Sequence, residues 1–379
     1  MFCLALAGLM VALAVIVPAQ SEAKGKKKKK GAKVTLMARN VYLGADLSPA
    51  IGAATLGEAI DGAGEIYNEI ERTNFPERAI PLAKEIAKSK ADLVGLQEVA
   101  HWRTQTPSDL GWSESGGIGE PATETKYDFL AELMKHLDGK YKVLGVQEEF
   151  DAELPVDQDG SDATGGIFGE ELDARLTMRD VILQKKGSKV KVKKSSLKAG
   201  HFDELYTADV GGALITANRG WLSVEASVKG KKGAKPTKFR FVNTHLEAFG
   251  DPAIREAQAK ELIAKGGPVN SKGKVVLVGD LNSGLTDPHK ITGDDQLAFQ
   301  ALTKFGMEDL GAQQSCCYDA VLDDTSPPFD HTVDHILANK KAKASVVKAK
   351  VTGDDPSQIT PSGLWPSDHG GVISTIKIK

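Results

Sequence analysis

Four short segments constrain this chain more than any other feature. They are Asp92-Leu-Val-Gly-Leu-Gln-Glu98, Phe241-Val-Asn-Thr-His245, Val275-Val-Leu-Val-Gly-Asp280-Leu-Asn282 and Ser367-Asp368-His369. The apolar runs among them read as buried strands. Each segment ends in carboxylate, amide or imidazole groups. Polar groups at strand ends converge outside the edge of a sheet, where a rigid scaffold holds them around one site. Such groups suit a hard divalent cation and a phosphate better than a zinc cage, because no Cys takes part. This is the pattern of an enzyme.

Around these segments, strand candidates outnumber helices. Strands are expected at 33–39 (ending at Asn40), 92–96, 141–146, 176–184, 213–216, 221–228, 239–243, 275–278, 332–337, 344–351 and 371–378. Helical patterns cover 50–71, 76–89, 127–137 and 254–263. Residues 101–124, rich in Ser, Gly, Thr and Pro, read as loop, and 150–173 as an acidic, Gly-rich insertion able to cover a site. Lys229–Lys238 reads as a basic hairpin turn. Several neighbouring strands are joined by turns too short for a helical crossover, which favours antiparallel pairing in a two-sheet sandwich with helices outside.

The first 23 residues read as a secretion signal. Met1–Ala19 carries no charge, residues 4–17 are apolar, and small-residue cleavage patterns follow. Fourteen apolar residues fall short of the roughly 20 that a membrane span needs, which disfavours an uncleaved anchor. No Lys or Arg precedes the run, as if the natural start lay upstream. Lys24–Lys33 is a Lys-rich linker that can also touch an anionic surface. Seven of the 48 Lys and Arg lie in it, and only Glu22 of the 51 acids precedes residue 34. Residues 34–379 therefore hold 41 basic and 50 acidic groups, a net of −9. These residues form the expected catalytic domain, and a body so acidic binds a polyanion poorly without metal ions or a basic groove. Cys3 leaves with the signal, and adjacent Cys316 and Cys317 read as packed thiols or a local bridge without a metal role.

From about Lys33 to Ile378 the motifs, in their order, resemble the endonuclease/exonuclease/phosphatase superfamily, which includes deoxyribonuclease I and neutral sphingomyelinases. The resemblance implies a four-layer α/β/β/α sandwich of two mostly antiparallel sheets with flanking helices (class α+β), and a Mg2+ or Mn2+ cofactor. Arg39-Asn40-Val41 and Gln97-Glu98-Val99 are similar to the metal segments: Glu98 and Asn40 would hold the ion, with Gln97 behind them. Asn243-Thr244-His245-Leu246-Glu247 looks like the segment whose His meets the scissile phosphate, with Glu247 supporting it. Gly279-Asp280-Leu281-Asn282 is similar to the GDxN motif, where Asp280 aligns water and Asn282 donates to developing charge. The i, i+2 spacing itself puts both side chains on one face of an extended segment. Val333-Asp334-His335 resembles a late strand whose Asp protonates the leaving oxygen or positions the site; strand alternation leaves only one of the two in the pocket, expected to be Asp334. In Ser367-Asp368-His369 the resemblance makes His369 a base or a phosphate donor, oriented by Asp368. Arg219-Gly-Trp221 reads as a core anchor, and Arg255 and Gln258 as backbone supports for the His245 segment. The implied activity is phosphodiester hydrolysis, with nucleic acid the first candidate substrate, lipid or small phosphate esters after it, and a non-catalytic binding protein the last reading.

Overall fold

The first strand, β1 (Ala32–Asn40), buries both of its faces, and that decides the architecture. Val34, Leu36 and Ala38 enter an apolar cluster with Phe239, Phe241, Val276, Val278 and Ile336. Between them, Met37 enters a second cluster with Leu96, Ile70, Phe75 and Leu82. Period-two alternation with apolar residues on both faces marks a strand covered from both sides. The computed structural model describes residues 31–111, 119–159, 172–230, 233–284, 296–311, 314–324 and 329–379. The expected signal, and Lys24–Lys33 apart from its last three residues, lie outside these.

In chain order the next strands are β2 (Leu93–Gln97), β3 (His101–Gln105), β4 (Glu124–Asp128), β5 (Tyr141–Val156), β6 (Leu172–Lys185), β7 (Val190–His201), β8 (Tyr206–Val210) and β9 (Ala213–Ala217). They are followed by β10 (Gly220–Val228), β11 (Thr237–His245), β12 (Val275–Asp280), β13 (Met307–Asp309), β14 (Asp334–Asn339), β15 (Ser345–Thr352) and β16 (Gly371–Ile378). One sheet runs β15-β16-β1-β2-β6-β3-β4, with β5 also on β6. The other runs β13-β14-β12-β11-β10-β7, and β8 and β9 form a separate hairpin. Among the described residues, only β1–β2 and β11–β12 pair in parallel.

Helices α1 (Ser48–Ile51), α2 (Leu56–Arg72), α3 (Phe75–Ser89) and α4 (Phe129–His136) accompany the first sheet through the Met37 cluster. Helices α5 (Pro252–Ile263) and α6 (Leu297–Phe305) cover the second, where Leu262 and Leu302 meet Val242, Val275 and Leu277. The result is the expected four-layer sandwich. The starts of α2, α4 and α5 carry Thr55, Asp128 and Asp251, each accepting a backbone N–H of the first turn. No helix among the described residues is long and apolar enough to cross a membrane.

The loop reading of residues 101–124 needs correction at its two ends. The chain re-enters the first sheet at once as β3 on β6, and returns as β4 beside it. The 150–173 insertion is also strand at both ends, with Val156 paired to Leu172, while residues 160–171 lie outside the described residues. Strands β7, β8 and β13 and helix α6 were not expected. β7 is an edge strand, largely exposed and rich in Lys, so it lacks an apolar run.

Candidate active site

The two parallel pairs carry polar residues to one rim. Parallel pairing sets strand ends side by side: Asn40 ends β1 level with Gln97, and His245 ends β11 level with Asp280. β14 runs antiparallel to β12, so its first residue, Asp334, lies opposite Asp280. The sheets are tied together just below this rim. Gln97 Nε2 donates to Asn243 Oδ1 at 2.6 Å, and Asn243 Nδ2 donates to the Leu96 carbonyl at 3.0 Å. Gly95 makes room for that strut, since a Cβ there would sit 2.1 Å from Asn243 Oδ1. Gln97 is therefore a tie between the sheets.

Glu98 occupies the break between β2 and β3. Its φ of 57° is a left-handed conformation rarely taken by a carboxylate residue, held because Val99 N–H bonds the Arg179 carbonyl at 2.8 Å as the chain rejoins β6. Glu98 Oε2 accepts Leu43 N–H at 2.9 Å, and Oε1 accepts Asn40 Nδ2 at 2.8 Å. The same Asn40 nitrogen donates to Asp280 Oδ2 at 3.1 Å, while Asn40 Oδ1 accepts Tyr42 N–H at 2.9 Å. Asn40 thus clamps the two carboxylates together through its nitrogen, while its oxygen accepts the Tyr42 N–H and keeps a second lone pair.

Asp280 lies between two imidazoles, Oδ2 being 3.7 Å from His245 Nε2 and 3.6 Å from His369 Nε2. His369 Nδ1 bonds Asp334 Oδ2 at 2.8 Å, and Ser315 Oγ donates to that oxygen at 2.7 Å. The orienting carboxylate of His369 is thus Asp334, and the expectation that Asp368 holds it is corrected. Asp368 instead receives Ser367 Oγ at 3.3 Å and lines the cleft beside Glu98. His335 turns away, bonding Asp309 at 2.7 Å and the Ser283 carbonyl at 3.0 Å. Asn282, another left-handed residue with φ 45°, donates to the Leu246 carbonyl at 3.0 Å and brings its amide 3.2 Å from His245 Nε2.

Residues without a local sequence signal complete the site. Arg219, read from sequence as a core anchor, donates to His245 Nδ1 at 3.0 Å and pairs with Glu247 at 3.3 Å. A guanidinium can only donate, so His245 carries its proton on Nε2, facing Asp280. Glu247 also accepts the backbone N–H groups of Ala248 and Phe249. Gln258 accepts the Glu247 N–H at 2.9 Å, and Arg255 donates to the Glu247 carbonyl, as expected of them. Buried Arg78 donates to the carbonyls of Thr73, Val41, Tyr42 and Pro366, fastening the Asn40 loop to the Ser367 loop. Arg175 and Arg179 form ion pairs with Asp151 and Asp128. Cys316 and Cys317 are bridged, with sulfurs 3.7 and 3.9 Å from His369 Nε2.

The electrostatics show a shortage of positive charge. Burial raises Glu98, and Asp368 adds to it; burial and Asp334 push Asp280 up to about 6. Burial likewise raises Asp368. Burial lowers His245 well below its ordinary range, and the Arg219 charge lowers it further, so it is neutral. His369 goes the other way: burial opposes its charge, but Asp334, Asp368 and Asp280 outweigh burial and raise it well above the ordinary range. Asp180, beneath the site, is raised well above its ordinary value by burial, and neither of its oxygens has a hydrogen-bond partner. Asp280, Asp334 and His369 present ligand atoms within 4.8 Å of one another, and buried Asp334 Oδ1 has no hydrogen-bond partner. Crowded carboxylates of this kind, supplying hard oxygen donors, fit a divalent cation.

A family model described as "Endonuclease/Exonuclease/phosphatase family" matches residues 64–369. No curated protein matches this chain. It is similar to an endonuclease/exonuclease/phosphatase family protein from Bacteroides thetaiotaomicron (16% identity, 92% of this chain and 99% of that one, TM-score 0.49). It is also similar to an endonuclease/exonuclease/phosphatase from Beutenbergia cavernae DSM 12333 (18%, 92% and 72%, 0.48). A third similar structure is D. rerio TDP2 complexed with single strand DNA product (15%, 91% and 99%, 0.46).

Proposed function

This chain belongs to the endonuclease/exonuclease/phosphatase family, and from that premise we propose that it is a secreted, divalent-metal-dependent phosphodiesterase. The observation that carries the reading is geometric: Asp280 Oδ2 lies 3.7 Å from His245 Nε2 and 3.6 Å from His369 Nε2, at the strand end where Asn40 ties it to Glu98. Burial and Asp334 raise its affinity for a proton, which suits a general base for water. Asp280 therefore orients and deprotonates the attacking water. His245 Nε2–H and the Asn282 amide donate to the charge that develops on the phosphoryl oxygens, and Arg219 keeps that proton on Nε2. His369, held by Asp334, donates a second charged hydrogen bond. Asp334 is fully buried and already accepts two hydrogen bonds on Oδ2, so its role is to position His369. Glu98, with Asp368 lining the cleft beside it, would hold Mg2+ or Mn2+. Such an ion supplies Lewis-acid polarisation of a phosphoryl oxygen.

Secretion is supported by the uncharged apolar run before residue 23. For substrate, the Lys-rich stretches at 24–33 and 229–238 favour nucleic acid, while the net −9 of residues 34–379 opposes it. The test is hydrolysis of methyl p-nitrophenyl phosphate by purified protein with Mg2+, Mn2+ or EDTA. Metal-dependent release of p-nitrophenol is expected, and no release with either metal would sink the reading.

A further inference from the structure

The phosphoryl site opens into a cleft of about 340 Å3 whose walls are mostly hydrocarbon. Ile51, Ile66, Phe150, Leu176, Val210 and Ile215 bring α1, α2, β5, β6 and the β8–β9 hairpin to it. Among the described residues, charge enters only through Asp46, Glu98, Arg219 and Asp368, and Arg219 is paired with Glu247. A groove that tracks a nucleic-acid backbone is lined with cations, and this one presents carboxylates and alkyl groups. Apolar cavities beside a polar reaction centre bind the apolar part of a ligand.

The β8–β9 hairpin gives the cleft an unusual rim. Along β9, alternation turns Ile215 and Ala217 toward the cleft and leaves Leu214 66% exposed. The hairpin turn packs on the start of α2, where a Cβ on Gly211 would lie 2.7 Å from Leu56 Cα, and Leu56 is itself 39% exposed. Two leucines thus face solvent on elements that border a hydrocarbon-lined cleft, an arrangement suited to a hydrophobic phase rather than to a polyanion.

We propose that the substrate is an amphiphilic phosphodiester whose aliphatic chain lies in this cleft while its phosphate meets Glu98 and Asp280. The proposal rests on the phosphodiesterase reading above. Water's oxygen bonds to phosphorus as one ester P–O bond breaks, and the proton taken by Asp280 leaves with the departing alcohol.

The test is a series of alkyl p-nitrophenyl phosphodiesters from methyl to dodecyl, assayed with Mg2+. kcat/KM should rise by roughly fourfold per added methylene until the cleft is full, the equivalent of burying one CH2. Ala208→Phe places a ring within the cleft wall and should reduce the dodecyl-to-methyl ratio by at least about tenfold. Titration calorimetry with monomeric dodecylphosphocholine should give binding in wild type and weaker binding in Ala208→Phe. Phosphatidylcholine vesicles distinguish a membrane lipid from a free amphiphile: for a membrane lipid, Leu214→Ser slows vesicle hydrolysis more than hydrolysis of the monomeric dodecyl ester. A flat chain-length series overturns the proposal, and rapid cleavage of plasmid DNA alongside it makes nucleic acid the substrate. No turnover of any ester, with dodecylphosphocholine still bound, overturns the phosphodiesterase reading and leaves the cleft assignment standing.

Discussion

Asp334 Oδ2 lies 2.8 Å from His369 Nδ1, so the imidazole next to Asp368 in sequence is held by a carboxylate 35 residues upstream. The partner of a catalytic His fixes its tautomer and its basicity. Asp334→Asn should therefore lower kcat by about 100-fold or more, and Asp368→Asn by less. Steady-state rates on methyl p-nitrophenyl phosphate decide this, and equal losses would restore Asp368 as the orienting group.

Burial does most to hold His245 neutral, and the charge of Arg219, bonded to its Nδ1, adds to that. In Arg219→Gln the charge is gone, and the His245 pKa should move up toward its ordinary value. NMR titration of the His245 ring in EDTA reads this directly. Because Glu247 then loses its buried partner, the variant should also lose about 3–5 kcal/mol of stability. An unmoved titration would remove Arg219 from the site.

Metal should be visible in stability before activity is measured. A cation that binds only the folded state raises stability by about 2.7 kcal/mol at 100 times its Kd. Melting temperature should therefore climb with Mg2+ or Mn2+, and Glu98→Gln should blunt the climb. A melting temperature indifferent to millimolar metal would contradict a metal centre here.

Asp180 gives a pH signature. Its folded pKa is raised above the unfolded value of roughly 4. The folded state then holds the proton more tightly, so stability falls as pH rises above about 4, until the folded pKa is passed. Asp180→Asn should flatten that fall and be more stable at pH 8 by on the order of 1 kcal/mol. Urea melts in EDTA across this range check this, and parallel slopes in the two proteins would refute the account.

Much of the fold is legible where a strand is buried on both faces. Val275–Val278 and Leu93–Leu96 contribute to two cores at once, so their sequences are continuous apolar runs. β7 and β8 have no such run. β7 has a Lys-rich exposed surface, and the cleft-facing side of β8 is read against α1 and α2, far away in sequence.

The sequence by itself determined which residues end the strands, because a carboxylate or imidazole following an apolar run is a local pattern. It placed Glu98, His245, Asp280, Asp334 and His369 as members of one rim. Only the tertiary structure decided the pairings among them: Asp334 with His369, Arg219 with His245, and Asn40 between Glu98 and Asp280. The reason is physical. Membership follows from burial, which each segment encodes alone, whereas a hydrogen bond depends on the register of strands joined across tens to hundreds of residues.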